Sequence, residues 1–306
     1  MSGQRMNIGF IGIGNMGSGM AARLLGLGWN VAVHDIDARR TRAALALGGQ
    51  VRATPAALAH DRDCIVVCVV DAQQTEAVLF GTDGVAAAST RPAGAAAARC
   101  VLLCPTLAPA DTERLAARLA EQGIDCIDAP MSGGPARALE GSMSLMLAGH
   151  APVVERHRAL IEALSSRVFR ISERVGDGAR TKLVNNLLAG INLAGAAEAL
   201  ALAERIGLDL AATLAVIEQS SGQSWIGSDR MRRAIDADFR PRAHTSLLNK
   251  DTHLALAMAR QAGFDAALGS QAAACFARAC DAGLAALDDA SLFTLLRGKP
   301  SAPTGA

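Results

Sequence analysis

The chain has 306 residues, of which 51% are apolar, and a formal net charge of +1. This length suffices for two domains, and the apolar content excludes a largely disordered chain. The balanced charge, the lack of a basic run and the absence of tyrosine argue against a nucleic-acid partner or an acidic membrane surface.

The first half of the chain alternates short apolar runs with segments of helical periodicity. In chain order the predicted strands are MNIGFIGIG, NVAVHD, CIVVCVV, CVLLCP and IDCIDAP, and the predicted helices are NMGSGMAARLLGLG, ATPAALAH, AQQTEAVLF and APADTERLAARLAEQG. In the short helix ATPAALAH, Thr54 is the expected N-cap and Pro55 the first helical residue. SMSLMLAG should add an edge strand, and APVVERHRALIEALSS should form one more helix. This alternation predicts a parallel sheet with right-handed crossovers.

The strand pattern stops near Asp177, and the rest of the chain predicts helices over residues 183–206, 210–219, 229–237, 249–262 and 266–285. The predicted fold class is therefore α/β: a Rossmann-type, doubly wound, mostly parallel sheet followed by an all-α domain. We place the first domain at 1–171, the helical domain at 172–299 and a disordered tail at 300–306. The longest apolar segment, 183–203, contains three asparagines and a glutamate, which favours a buried helix of a soluble protein over a membrane span.

Seven cysteines are scattered over the chain, most of them in apolar runs such as DCIVVCVV. Their odd number and their apolar surroundings indicate reduced core thiols in a cytosolic protein. Cys64 and Cys68 lack a second ligand pair at metal spacing, so no metal site is predicted. The N-terminus runs directly into a strand without a signal segment, and we expect a cytoplasmic location.

A glycine motif marks the first candidate site. Gly12, Gly14 and Gly17 follow the first strand and open the first helix, and Asp35 closes the second strand. Gly12 permits a tight turn, Gly14 lets a pyrophosphate approach the backbone, and Gly17 lets helix and strand pack closely. The amides and dipole of the helix start then hold the negative charge. The alternative, a purely structural turn, does not require all of these spacings to agree.

The first domain is therefore predicted to bind NAD. Asp35 would accept hydrogen bonds from the ribose hydroxyls and repel a 2′-phosphate, whereas Arg39 and Arg40 leave NADP as the less favoured alternative. Asn15 and Met16 inside the motif, and Val70 at the end of CIVVCVV, are assigned to the same cofactor site.

A second glycine-rich loop, DAPMSGGP, leaves a predicted strand and contains Ser132, Gly133 and Gly134 in succession. Such a loop exposes backbone amides and a hydroxyl, which suits a carboxylate. The alternative interpretation is an ordinary glycine-rich turn.

Lys182 and Asn186 are four residues apart, so on a helix they share one face, which continues through Ala189, Leu193 and Leu200. A lysine without water around it can have a lowered pKa and exchange a proton with a substrate hydroxyl. Asn186 would orient the same oxygen. The alternative is a surface lysine that extends from a helix start into solvent, although a cation there is mildly unfavourable.

Four motifs together resemble the β-hydroxyacid dehydrogenase family, the group that includes 3-hydroxyisobutyrate dehydrogenase. They are GFIGIGNMG, DAPMSGGP, GDGARTKLVNN and LLNKDTHLAL, in the family's order and spacing, over almost the whole chain. The resemblance implies NAD-dependent hydride transfer, with a small hydroxy acid as substrate and with homodimers or homotetramers as the assembled form. No nucleic-acid or membrane partner is expected.

The resemblance also assigns roles to individual residues. Lys182 matches the general acid/base, and Asn186 matches the substrate-orienting asparagine. The carboxylate-binding loop corresponds to Ser132, Gly133 and Gly134. Thr106 matches a threonine beside the nicotinamide ribose, and Lys250 matches a lysine that contacts the cofactor. Asp251 is expected next to it at the domain interface and is assigned to substrate binding. The family's usual aspartate and serine before that threonine are Leu103 and Pro105 in this chain.

Three further segments, DAQQTEAVLFGTDGV, SSGQSWIGSDR and DFRPRAHTSLLNKD, resemble the branch that acts on four-carbon sugar acids such as L-threonate. In that branch Ser224 and Trp225 would lie near the substrate, although Trp225 also fits a plain core position. 3-Hydroxyisobutyrate and tartronate semialdehyde remain the alternative substrates. A catalytically silent dinucleotide-binding module, a scaffolding protein and an imine reductase are less favoured. Such silent relatives and imine reductases replace the lysine, which this chain keeps at position 182, and a scaffold would need neither glycine loop.

Overall fold

The computed structural model describes residues 6–88 and 100–298, so the predicted tail at 300–306 lies outside the described residues. The chain divides into two compact units, Met1–Lys182 and Leu183–Ala306, which we call the sheet unit and the helical unit. The predicted fold class is confirmed, because a mostly parallel sheet is followed by helices.

The sheet unit contains nine strands within the described residues. They are β1 (Asn7–Ile11), β2 (Asn30–His34), β3 (Gln50–Val51), β4 (Cys64–Val67), β5 (Cys100–Leu103), β6 (Asp125–Asp128), β7 (Met131–Ser132), β8 (Ser144–Ala148) and β9 (Arg167–Ser172). The helices are α1 (Asn15–Gly26), α2 (Ala38–Ala46), α3 (Pro55–Ala59), α4 (Ala72–Phe80), α5 (Pro109–Glu121), α6 (Gly134–Glu140), α7 (Ala151–Arg156) and α8 (Arg158–Leu164). Thr54 caps α3 by accepting a hydrogen bond from the Ala57 amide, with Pro55 at the first position, as predicted.

The strands lie in the order β3-β2-β1-β4-β5-β6-β8-β7, and β9 pairs with β8. From β3 to β6 all neighbours are parallel, whereas β8 runs antiparallel to β6 and β7. Residues of β4 alternate between two core clusters: Cys64 and Val66 pack in one, and Ile65 and Val67 in the other. Both faces of the sheet are therefore covered, which is why these strands read as continuous apolar runs.

Two predictions about the end of this unit were wrong. SMSLMLAG is not an edge strand, because β8 pairs with β6, β7 and β9. The single helix predicted for APVVERHRALIEALSS is two helices, α7 and α8, separated at His157. The buried His157 ring has its Nδ1 atom 2.8 Å from the Val153 carbonyl oxygen.

The helical unit contains α10 (Leu210–Glu218), α11 (Trp225–Ile235), α12 (Thr245–Gln261), α13 (Ala267–Ala279) and α14 (Leu292–Arg297). Two of the predicted helices begin about one turn earlier than expected, at Trp225 and Thr245. The predicted helix over 266–285 ends at Ala279 and continues as a π-helical turn with Gly283 at φ 84°. Buried ion pairs Arg230–Asp289 and Arg233–Asp288 connect α11 to the 3₁₀ turn Asp289–Ser291 and the residue before it.

The helix α9 (Asp177–Arg205) starts in the sheet unit and continues through the boundary. It begins six residues before the predicted start, so Lys182 lies in its second turn. By length and composition α9 is the one described helix that could cross a membrane, which is weak support for a span. The expectation that it is a buried helix holds for one face only. Leu193 and Leu200 are buried, whereas Leu188 and Leu202 are more than half exposed.

The start of α9 is anchored by Asp128, the last residue of β6. Its Oδ2 atom accepts hydrogen bonds from the backbone N–H groups of Gly176, at 2.9 Å, and of Ala179, at 3.0 Å. Burial raises the pKa of Asp128 to about 6, even though these hydrogen bonds and that of Gly178 favour the carboxylate. The desolvation of the charge thus outweighs the stabilisation that the helix start provides.

We predict that Asp128 makes the protein less stable as pH rises. The pKa of Asp128 is about 6 in the folded chain and 3.8 when unperturbed, so between these values the folded state binds more protons than the unfolded state. The stabilisation by the neutral carboxyl is complete below about pH 4 and is lost as pH rises towards 6. Asp128→Asn keeps an oxygen for the Gly176 and Ala179 amides and should remove up to about 3 kcal/mol of this pH dependence.

The measurement is urea unfolding of both proteins at pH values from about 4 to 7. The exposed Asp265→Asn serves as control and should retain the wild-type slope. Equal slopes for wild type and Asp128→Asn would show that Asp128 does not titrate in this range.

Candidate functional site

The glycine motif forms a tight turn between β1 and α1. Gly12 has φ 90°, and its amide donates to the His34 carbonyl oxygen at 3.0 Å. A Cβ atom on Gly17 would lie 2.1 Å from the Gly12 carbonyl oxygen, so no other residue fits there without a backbone shift. Around Gly14 the backbone is open, and an added Cβ would meet only the Arg40 guanidinium at 3.7 Å.

This turn fits a dinucleotide. The helix α1 has 12 residues, Gly14 is its N-cap, and no side chain caps its start. An uncapped helix start with an open glycine before it is the arrangement that binds a pyrophosphate. Asn15 and Met16, which we assigned to the cofactor, are the first two residues of α1.

Asp35 supports the turn from β2. Its Oδ2 atom accepts a hydrogen bond from the Ile13 amide at 2.7 Å, and its Oδ1 atom accepts one from the Asp37 amide at 2.8 Å. Arg40 lies 3.8 Å from the same carboxylate. The carboxylate is thus held in place at the end of β2, where its charge opposes a phosphate on the adenosine ribose.

The other predicted cofactor residues in this unit follow neighbouring strands. Val70 comes after β4 and is half exposed, and its amide donates to the Gln74 Oε1 atom at 3.1 Å. Thr106 comes after β5. Because β1, β4 and β5 are parallel neighbours, Gly12, Val70 and Thr106 all lie at the carboxyl edge of the sheet, where open α/β sheets bind ligands. Leu103, one of the departures from the family pattern, is buried in the core cluster.

The second glycine loop occupies the same edge after β6. Ser132 ends the short strand β7, and Gly133 and Gly134 follow with φ values of 131° and 79°. These backbone conformations favour glycine and start α6 without a side-chain cap. A loop with this backbone conformation can present amides to an anion, and its role as the carboxylate-binding loop stays a prediction.

Lys182 is buried in α9, with 7% of its surface exposed. This burial excludes the interpretation of a surface lysine extending into solvent. Asn186, four residues later on the same face of α9, is 8% exposed. Buried polar side chains at the end of an apolar stripe are uncommon and are often found at functional positions.

In the helical unit, Asn186, Lys250 and Asp251 form one hydrogen-bonded group. The Asn186 Nδ2 atom donates to the Asp251 Oδ2 atom at 2.6 Å, and the Lys250 Nζ atom donates to the Asp251 Oδ1 atom at 2.7 Å. Asn185 Nδ2 in turn donates to the Asn186 Oδ1 atom at 3.0 Å. These bonds fix the orientation of the Asn186 amide. The direction of the second N–H of its Nδ2 atom is therefore fixed as well.

Trp225 is the first residue of α11 and is 47% exposed, which does not fit a plain core position. Ser224 caps this helix by accepting a hydrogen bond from the Gly227 amide. The Arg230 guanidinium carbon lies 5.8 Å from the Trp225 ring centroid.

Sequence reasoning missed one supporting residue and one supporting contact. Asp128 lies in the motif DAPMSGGP, but its position in the sequence does not show that it binds amides about 50 residues later. The link from Asp251 to Asn186 joins positions 65 residues apart, and no local pattern could reveal it.

We predict that Gly17→Ala weakens NAD binding at least about tenfold and lowers stability, because the new methyl would overlap the Gly12 carbonyl. Gly26→Ala is the matched control, since it lies in the same helix and an added Cβ meets nothing within 4 Å. It should bind NAD as the wild type does. Calorimetric titration with NAD measures both variants, and unchanged affinity of Gly17→Ala would contradict the turn's role.

Comparison with known proteins agrees with this geometry. Residues 7–172 match the family model for the NAD binding domain of 6-phosphogluconate dehydrogenase, and residues 176–296 match that for the NAD-binding domain of NADP-dependent 3-hydroxyisobutyrate dehydrogenase. The L-threonate dehydrogenase of Cupriavidus necator is 38% identical over 292 residues, covering 95% of this chain and 96% of that protein. The 3-hydroxyisobutyrate dehydrogenase of Pseudomonas aeruginosa is 33% identical, covering 96% and 99%.

Among solved structures, that of a 3-hydroxyisobutyrate dehydrogenase from Salmonella typhimurium superposes with a TM-score of 0.87 at 33% identity, over 95% of this chain and 99% of that one. The family matches confirm the predicted nucleotide cofactor and the class of reaction, NAD-dependent oxidation of a small hydroxy acid. This chain belongs to the β-hydroxyacid dehydrogenase family.

Proposed function

We propose that this enzyme oxidises L-threonate or a similar four-carbon sugar acid, with Lys182 as the general acid/base. The observation that carries the proposal is the buried Lys182 on the same helix face as the buried Asn186. The similarity to L-threonate dehydrogenases supports the substrate. 3-Hydroxyisobutyrate is the second candidate, because a dehydrogenase of that acid is also similar over most of the chain.

The proposed reaction needs a group that moves the hydroxyl proton and a group that orients the hydroxyl oxygen. When bound, NAD would accept the hydride from the carbon that carries the substrate hydroxyl. Lys182, as a neutral amine, takes the proton from that hydroxyl as the carbonyl forms, and returns it in the reverse reaction. Asn186, held by Asp251, donates a hydrogen bond to the same oxygen. Correct orientation of the oxygen relative to Lys182 contributes to the rate because it removes the entropy cost of alignment.

Binding of the acid falls to two further groups. The backbone amides of Ser132, Gly133 and Gly134 and the Ser132 hydroxyl would donate hydrogen bonds to the carboxylate. Trp225, with its half-exposed ring, would contact the substrate chain. We assign the cofactor to Gly12, Gly14, Asn15, Met16, Gly17, Asp35, Val70, Thr106 and Lys250. In this proposal Asp251 contributes to substrate binding by orienting Asn186.

The decisive experiment is a spectrophotometric screen with NAD and NADP. Threonate, erythronate, 3-hydroxyisobutyrate, glycerate, serine and 6-phosphogluconate are compared by kcat/KM. We expect threonate with NAD to rank first. In Lys182→Ala, kcat should fall about 10²- to 10⁴-fold, since one positioned proton-transfer group contributes that much.

The control is the stabilisation of Lys182→Ala by NAD, which should equal that of the wild type and shows an intact cofactor site. If another acid ranks first, the substrate assignment is wrong while the family stands. If Lys182→Ala turns over at the wild-type rate, the proposed role of the lysine is wrong.

We also propose that the protein is a homodimer or homotetramer assembled through α9. Its exposed apolar residues and the residue directly after it form a stripe, which we call the α9 stripe: Val184, Leu188, Gly195, Ala199, Leu202 and Ile206. At 100° per residue these positions fall within about 60° of one another around the helix, so they make one continuous face. A second copy of the same helix is the partner that such a self-complementary apolar face suits.

The cysteines carry no disulfide, which supports a cytoplasmic location.

The double variant Leu188→Glu, Leu202→Glu should therefore be monomeric, because it places charges in the buried contact. Sedimentation velocity measures the change. Leu47→Glu is the control, since Leu47 is a similarly exposed leucine outside the stripe, and this variant should keep the wild-type assembly. A monomeric wild type would contradict the proposal.

A further inference from the structure

Two strand starts and a helix break bring three metal-binding side chains together in the core of the sheet unit. Cys64 is the first residue of β4 and Cys100 the first residue of β5, and the two are direct partners in the parallel register. Side chains of such partners project from the same face of a sheet. His157, at the break between α7 and α8, faces them. The two thiols and one nitrogen of the imidazole lie within 4.8 Å of one another.

The three side chains are exposed by only 0%, 0% and 1% respectively. The Cys64 and Cys100 thiols are close neighbours, because the two residues are partners in the register of β4 and β5. The His157 Nδ1 atom lies 2.8 Å from the Val153 carbonyl oxygen, so its N–H donates there and Nε2 keeps the lone pair. A carbonyl that orients a histidine in this way is typical of metal ligands.

We propose that Cys64, Cys100 and His157 form a binding site for one thiophilic d¹⁰ cation, with Zn²⁺ as the physiological ion. Two thiolates and one imidazole are the ligands that zinc prefers. The ion displaces one proton from each thiol, so two thiolates balance its double charge and the buried centre is neutral. The proposal does not rest on the proposed substrate.

The geometry needs little rearrangement. With metal–sulfur bonds of about 2.3 Å and metal–nitrogen bonds of about 2.0 Å, tetrahedral ligand atoms are about 3.6–3.8 Å apart. Atoms that now lie within 4.8 Å would approach by about 1 Å at most, which side-chain rotations can provide. The remaining coordination position would hold water.

The location separates this site from the cofactor. Cys64 and Cys100 stand at the amino ends of their strands, whereas the glycine turn, Val70 and Thr106 lie at the carboxyl edge. An ion there would join β4, β5 and the α7–α8 segment. It would stabilise the sheet unit without taking part in hydride transfer.

The chain offers a matched control on the same two strands. Cys68 and Cys104 follow β4 and β5 four residues after Cys64 and Cys100, so they are neighbours in the continuation of the same parallel register. Within the described residues this second pair has no histidine or carboxylate at ligand distance. If two neighbouring thiols alone were enough, both pairs would bind the ion.

The test uses the full, reduced chain, freed of metal by a chelator and titrated with Cd²⁺ as the probe. We expect one equivalent to produce the near-ultraviolet thiolate-to-cadmium absorption and to raise the midpoint of thermal unfolding. Cys64→Ser and Cys100→Ser should each lose the band, and His157→Asn should bind at least about tenfold more weakly. The double variant Cys68→Ser, Cys104→Ser should keep the band. Circular dichroism confirms that each variant is folded.

X-ray absorption of the wild-type Zn²⁺ complex provides a readout that needs no variant. It should show two sulfur neighbours and at least one imidazole nitrogen. The proposal is overturned if no band appears at one equivalent, if the band survives in Cys64→Ser, if it disappears only in the Cys68, Cys104 variant, or if the zinc has only oxygen neighbours.

Discussion

The candidate site depends on one buried carboxylate. Asp128 ends β6 and accepts hydrogen bonds from the Gly176 and Ala179 amides in the first turn of α9. The helix that carries Lys182 and Asn186 is thereby attached to the strand whose following loop contains Ser132. Burial raises the pKa of Asp128 to about 6, so this attachment costs free energy once the carboxyl is ionised. The chain keeps this costly buried carboxylate at the start of α9, the helix that carries Lys182. We infer that the position of α9 is more important for function than the stability that another residue at position 128 would give.

A second carboxylate has the corresponding task in the helical unit. Asp251 binds Lys250 with one oxygen and Asn186 with the other. In the mechanism that we propose, neither aspartate touches the substrate: Asp128 holds the start of α9 and Asp251 holds Asn186. The proposed mechanism thus uses backbone amides to bind anions and the buried Lys182 amine to transfer the proton, while Asp251 orients Asn186. The apolar exposed face of α9 is a separate feature, and assembly is the simplest use for it.

Much of the fold could be predicted from the sequence because its strands are buried on both faces. Runs such as CIVVCVV and CVLLCP have no polar alternation, and the glycine turn has its full spacing. The weaker elements were missed for physical reasons. The strand β9 is largely exposed and contains Arg167 and Arg170, and α2 begins with arginines after Asp37. Without β9 and β7, β8 reads as an edge strand.

For the candidate site, too, local sequence patterns could be interpreted, whereas contacts between distant segments could not. Residues in contiguous motifs could be assigned to a site, and the family matches are consistent with the reaction that these motifs imply. Contacts made by strand register or helix packing could not be predicted. Asp251 reaches Asn186 across 65 positions, and Cys64, Cys100 and His157 come from three separate segments. Spacing alone therefore predicted no metal ligands, because Cys64 and Cys68 are close in sequence whereas Cys64 and Cys100 are close in space.

The most direct test of the central claim is a crystal structure of the enzyme with NAD and threonate bound. We expect the Lys182 Nζ atom and the Asn186 Nδ2 atom within about 3 Å of the same substrate hydroxyl oxygen, with the carboxylate on the Ser132 loop. If Lys182 lies beyond hydrogen-bond reach and no water connects it to that hydroxyl, the account of its role in proton transfer is contradicted.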